Sequence, residues 1–375
     1  MSTTILATFQ QYIRTIFMMV GSLFSYLGFS GAATASAKGE PEMQSVRALP
    51  ANWYTSEAMY QLERRAIFRR RWLLMTHQSR LQIGDFLHYD VANFDVYITK
   101  DSSGKVQAAH KFVDDDRNDS GVEDEGVPTS NPKISSTKDS IHTRLDKNGF
   151  IWINMDPKKE PEVAWEDRFD HVDEQTRFEQ FNFDDYVFDH TWNLVGPFNW
   201  KILADNFNEC YHCATTHPDL TTGLIDLEAY DVSCDPAGDH IQHKPNTPED
   251  RKALGQEICS TYCFPNVSFT VTKHFLFIQK FMPKSPTEST MYYEVWHNKH
   301  SSKEDFALIS DTYKRVMSED KVLCERSQKN IEAGTFISGE LHPQKEKGPI
   351  FFQKRDREIV LEYAAREKKA GRKLI

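Results

Sequence analysis

The sequence predicts an α+β protein, a small antiparallel β domain followed by an antiparallel sheet with helices. Three observations predict it. Short strands joined by tight turns fill residues 85–154. Closely spaced strands recur near 267–272, 275–281 and 291–296. Long helical stretches over 303–334 and 355–369 are grouped with that second set of strands. At 375 residues the chain exceeds one ordinary core. The expected division is an N-terminal segment over 1–44, a β domain over 45–165 and a second domain over 166–375.

Residues 15–37 carry no charge, and 16–29 are strongly apolar. This segment just reaches the length of a membrane anchor. A cleaved leader, with small-residue sites at Ala33-Thr34-Ala35 and Ala35-Ser36-Ala37, and a loose extension are the alternatives. The expected location is membrane-associated or cytoplasmic, and intracellular. Six cysteines, the first at Cys210, show no disulfide framework and are read as reduced. Two glycosylation triplets, at Asn118 and Asn266, point the other way. The formal net charge of −10 argues against nucleic acid as a partner, because phosphates repel an acidic surface.

Ser56 caps a helix predicted over 57–72. Strands follow at 85–91 and 94–99 across Ala92-Asn93, then at 105–110 after Asp101-Ser102-Ser103-Gly104. A later pair, 141–145 and 150–154, is joined by Lys147-Asn148-Gly149. Between them, seven acids in the twelve positions 114–125 read as a solvated loop; their spacing does not fit a calcium loop.

The chemistry concentrates in the run from Asp205 to Pro218, on a helix predicted over 199–213. Positions 205, 209 and 212 are then spaced to share one helix face. Pro218 pushes His217 out of the α region, so His212 projects from the last helical turns while His217 returns from the loop. The segment Ser318-Glu319-Asp320 through Gln328, on the long helix, offers a third ligand. Two histidines and one carboxylate on one side of a metal, with open positions opposite, suit Fe(II) and O2 chemistry. Each residue also has a plain structural reading: a histidine pair in a chain with 14, and a helix-surface aspartate. Cys210 and Cys213 are read as packing residues, and His240 and His243 as structural.

At this point the chain resembles the α subunits of Rieske non-haem iron oxygenases, in the choline and carnitine monooxygenase-like branch. The resemblance spans about residues 50–365. It rests on Trp53-Tyr54-Thr55-Ser56, on Ile67 through Trp72, on Gly149 through Pro157, on Asn199-Trp200-Lys201 through His217-Pro218, and on Glu319-Asp320 with Gln328. It implies that His212, His217 and Asp320 hold Fe(II). It places Glu209 where the family has an acid linking the iron to a neighbouring subunit's cluster, and Asn206 at a polar position near the iron. It implies a Rieske-like domain, then a helix-grip catalytic domain, and often a trimer.

The chain departs from the family at one place. A Rieske [2Fe–2S] centre needs two cysteines and two histidines. The expected position after Ala109-His110 reads Lys111-Phe112-Val113-Asp114, and no cysteine precedes 210. No [2Fe–2S] cluster is therefore expected. Electrons would come from a donor protein, from a cluster-bearing homologous subunit or from the substrate. The expected function is an iron monooxygenase or hydroxylase acting with O2 on a small organic substrate, from specialised metabolism or a quaternary amine. For the amine, Phe264, Phe269, Tyr293 and Trp296 are weighed as a cage against an ordinary core role. The alternatives are a redox-silent isomerase or cyclase, and a non-catalytic subunit paired with an active homologue.

Overall fold

Two antiparallel sheets organise the chain, and the helices lie beside the second. The computed structural model describes residues 46–374 apart from 111, 114–132, 135–138, 222–224, 248, 250–251 and 253–256. The uncharged segment 15–37 and the acidic run 114–125 fall outside the described residues, as does most of the expected cluster position. Among the described residues, no helix is long and apolar enough to cross a membrane.

The first sheet contains β1 (Leu73–His77), β2 (Phe86–Val91), β3 (Phe94–Lys100), β4 (Val106–Ala109), β5 (Ser140–Leu145) and β6 (Phe150–Asn154). Their spatial order is β1-β6-β5-β4-β3-β2. Ala92 and Asn93 both take positive φ, 53° and 59°, as the two-residue turn between β2 and β3 demands. Gly149 sits at φ 89° with His77 and Gln78 against it; a Cβ there would lie 2.6 Å from His77 Nε2.

The second sheet contains β7 (Tyr186–Gly196), β8 (Asp231–Cys234), β9 (His240–Lys244), β10 (Cys259–Cys263), β11 (Val267–Val271), β12 (Phe275–Ser285) and β13 (Glu288–Asn298). The order is β7-β13-β12-β11-β10-β9-β8. One apolar core includes residues of both sheets, among them Val96, Ile153, Phe277 and Tyr293. Buried charge also joins the sheets. Glu294 of β13 accepts from Thr76 Oγ1 at 2.7 Å and pairs with Lys280 at 2.7 Å and with Arg80. Asn266 is buried, so its triplet cannot carry a glycan.

Helix α1 (Glu57–Glu63) is capped as expected, with Ser56 Oγ accepting from the Met59 N–H at 3.3 Å. It ends earlier than predicted. A π turn over Arg64–Phe68 buries Ala66, Ile67 and Phe68 in succession, which one face of a regular α-helix cannot do. Helix α2 (Trp200–Phe207) starts at an Asn199 cap and runs through the core. Its Lys201 ammonium meets Glu63 at 2.7 Å, with both side chains fully buried, and Trp200 Nε1 donates to the same carboxylate at 3.0 Å. Short α3 (Cys213–Thr216), α4 (Lys303–Glu332) and α5 (Lys347–Ala370) complete the helices that frame the site.

The predicted helix over 199–213 is corrected by the structure. Asn208 Nδ2 donates to the Ala204 carbonyl, and Glu209 Oε2 accepts from the Tyr211 N–H at 2.7 Å. The Asn208 N–H still bonds the Ala204 carbonyl at 3.2 Å, but the Tyr211 N–H goes to Glu209 instead of continuing the helical ladder, and α2 ends at Phe207. Positions 205, 209 and 212 thus do not share one continuous helix.

Candidate metal centre

His212 stands at the N-terminus of α3 and His217 just past its end. His217 has φ −128° and ψ 59°, outside the α region, as the following proline requires. The imidazoles therefore converge across a break in the helical chain. Asp320 reaches the same point from α4.

One ligand atom from each of His212, His217 and Asp320 lies within 4.8 Å of the others. His217 Nε2 is 2.9 Å from Asp320 Oδ1, and His212 Nε2 is 3.4 Å from it. Each ring is held on its other nitrogen by a second carboxylate. His217 Nδ1 meets Glu319 at 2.6 Å, and His212 Nδ1 bonds Glu209. Both Nε2 atoms are thereby aimed at one point, the orientation metal-binding histidines need. Asn206 Nδ2 lies 3.2 Å from His212 Nε2 and 3.5 Å from Asp320 Oδ1.

The electrostatics favour a cation. Burial opposes charge on His212, but Asp320 and Glu209 outweigh it and bring its pKa up to about 9. For His217 burial is likewise overcome, chiefly by Asp320, and its pKa is raised. Burial disfavours the Asp320 carboxylate, yet the two imidazoles hold its pKa below the usual value. Two nitrogens, one carboxylate oxygen and two outer carboxylates make a donor set that fits a divalent transition metal.

Surrounding elements fix the three ligands. The Asn199 N–H donates to Gln328 Oε1 at 3.0 Å, tying the start of α2 to α4 two turns beyond Asp320. Asp205 Oδ2 accepts from Tyr54 at 2.9 Å and Oδ1 from Gln353 of α5 at 2.9 Å. A Cβ on Gly348 would lie 2.2 Å from the Asn208 carbonyl, so only glycine lets α5 approach this turn. Sequence reasoning missed the roles of Glu319, Gly348 and Gln353. Only Glu319, adjacent to Asp320, carried a visible signal.

Two cavities meet at the centre. An inner one of about 120 Å³ is lined by His212, His217 and Asp320 together with apolar side chains from α4 and the loop after α3. An outer one of about 490 Å³ lies between α2, α4 and the start of α5. Asn206, Glu209 and His212 line both. One alternative is set aside here and one expectation is corrected. Phe264, Phe269, Tyr293 and Trp296 are all at most 2% exposed and line neither cavity, because their rings are spent in the core. Cys210 and Cys213 are disulfide-bonded, not reduced; the tight turn brings their Cα atoms to 5.2 Å, within bridging range. His243 faces the inner cavity, while His240 does not; neither joins the metal-binding group.

The geometry belongs to an enzyme. Residues 183–362 match the family model for the ring hydroxylating alpha subunit (catalytic domain). Carnitine and choline monooxygenases are among the relatives it matches. The chain is 21% identical over 346 residues to the carnitine monooxygenase oxygenase subunit of Acinetobacter pittii, covering 80% of this chain and 90% of that one. It is 22% identical over 335 residues to the chloroplastic choline monooxygenase of Spinacia oleracea, covering 80% and 75%. Among solved structures, the quaternary ammonium Rieske monooxygenase CntA in complex with L-carnitine superposes with a TM-score of 0.67 at 19% identity. That match covers 84% of this chain and 96% of CntA. A naphthalene 1,2-dioxygenase matches at 0.61 and 14%, covering 84% and 92%. These likenesses establish the fold.

Proposed function

We propose that the protein is a mononuclear non-haem Fe(II) oxygenase in which His212, His217 and Asp320 hold the metal. The observation that carries this reading is the convergence of two Nε2 atoms and one carboxylate oxygen, each ring backed by its own carboxylate. Iron bound there supplies activation of O2 for monooxygenation of a small organic substrate.

The chain's residues divide the remaining work. Glu209 and Glu319 accept the Nδ1–H protons and keep each Nε2 lone pair available. Asn206 offers an amide N–H between His212 and Asp320. Glu209 also reaches the outer cavity, which gives it a place on the route of protons or electrons. The first sheet region, residues 45–165, contains no cysteine and therefore cannot ligate a Rieske cluster in the usual way. Electrons are accordingly assigned to a source outside that region, a donor protein or a cluster-bearing homologous subunit.

Metal analysis with electron paramagnetic resonance on anaerobically purified full-length protein tests the proposal. One iron per chain is expected, lost in His212→Ala and His217→Ala and free of any signal from a [2Fe–2S] cluster. Iron retained by both variants would overturn the ligand assignment. A cluster signal would overturn the outside electron source. Turnover under strict anaerobiosis would replace oxygenation with isomerase or cyclase chemistry.

A further inference from the structure

The inner cavity contains a hydrogen-bond chain that the metal site does not use. Asn208 Nδ2 donates to the Ala204 carbonyl at 2.9 Å, and a carbonyl can only accept. That fixes the amide so that Asn208 Oδ1 faces His243 Nε2 at 3.2 Å. An amide oxygen can only accept, so the His243 proton sits on Nε2. Burial, then the nearby Arg177 cation, push the His243 pKa down to about 3 and keep the ring neutral. Its Nδ1 therefore carries a lone pair. The Tyr230 hydroxyl, 2.7 Å away, must donate to it.

The consequence falls on the Tyr230 oxygen. Its only proton is committed to His243, so it presents lone pairs alone. Tyr230 and His243 both line the cavity that His212, His217 and Asp320 line. The other hydroxyl groups there are differently engaged: Ser260 Oγ bonds Thr270 Oγ1 at 2.6 Å, and Tyr313 is paired with Thr270 as well. Among the described residues, no lysine or arginine lines the cavity, and the carboxylates of Glu209 and Asp320 are bound to the imidazoles. At about 120 Å³ it is small beside ordinary ligand pockets.

We propose that Tyr230 is a substrate-positioning acceptor, and that the substrate is a small molecule presenting an O–H or N–H group to it. This rests on the reading of the adjacent centre as the reaction site.

Three probes of similar size test it: cyclopentanol, which donates; cyclopentanone, which only accepts; and tetramethylammonium, a quaternary cation. Binding is read by saturation-transfer NMR on the metal-free and the Zn(II)-loaded full chain. Cyclopentanol is expected to bind roughly fivefold more tightly than cyclopentanone, the worth of one hydrogen bond, and more tightly than tetramethylammonium, which has no proton to donate. Tyr230→Phe should abolish the preference. His243→Phe releases the Tyr230 proton and should invert it toward the ketone, which a purely structural role for the pair would not do. Circular dichroism confirms that each variant is folded. Equal or stronger binding of the ketone to the wild type, preferred binding of the cation, binding of none of the three, or an unaltered preference in whichever variant folds would overturn the proposal. Zinc content measured on the same samples, with His212→Ala as control, reports separately on the metal centre.

Discussion

Glu319 Oε2 lies 2.6 Å from His217 Nδ1, while the next residue, Asp320, meets Nε2 of the same ring at 2.9 Å. Neighbouring positions on α4 thus grip opposite edges of one imidazole. Arg315, one turn earlier, holds Glu319 at 3.0 and 3.1 Å. Glu319→Ala should leave the ring free to rotate and lower metal affinity by roughly 10–100-fold. Glu319→Gln, which still accepts a hydrogen bond, should lose less. Competitive titration with Co(II) measures both.

Gly348 predicts a different kind of failure. Any side chain there drives into the Asn208 carbonyl, which is backbone and cannot swing away. Gly348→Ala should push α5 from the turn that leads to His212. Metal affinity should fall more than global stability, and the comparison of Co(II) titration with urea unfolding separates the two.

The Glu63–Lys201 pair is fully buried and also receives Trp200 Nε1. Lys201→Met leaves the carboxylate without its counter-charge and should cost about 3–5 kcal/mol. Adding Glu63→Gln should recover most of that loss. Denaturant midpoints of the single and double variants test the coupling.

His77 gives the chain a sensitivity to acid. Its Nε2–H faces the Asn148 carbonyl at 2.8 Å, and its Nδ1 accepts from the Ser79 N–H at 3.3 Å. Burial pushes its pKa down to about 4. Below about pH 6.5 the unfolded chain takes up a proton that the folded one refuses until near pH 4. The contribution is complete above that range and declines by about 3 kcal/mol across it as pH falls. His77→Gln should flatten the dependence, read from urea unfolding at pH 7 and pH 4.5.

Much of this was legible in the residues because it is local. The Ser56 cap, the Ala92-Asn93 turn and the break before Pro218 each depend on neighbours in the chain. Pairing His212 and His217 with Asp320 spans 103 residues, and it came from recognised motifs rather than from periodicity. The length of α2 was misjudged because the Glu209 carboxylate accepts from the Tyr211 N–H just past its end, a local bond that competes with helix without altering propensity. Strand β7 escaped notice because it lies at the sheet edge and alternates only weakly between buried and exposed positions. The Tyr230–His243–Asn208 chain joins three separate segments and leaves no spacing to read.

Asn206, Glu209 and His212 form a partition one residue thick between two chambers of unequal size. The larger chamber is rimmed by acids, including Asp205, Glu340 and Glu346; the smaller is mostly greasy. The wall between them is built in part from the same imidazole that would grip the ion. A change in that wall cannot be felt on one side alone.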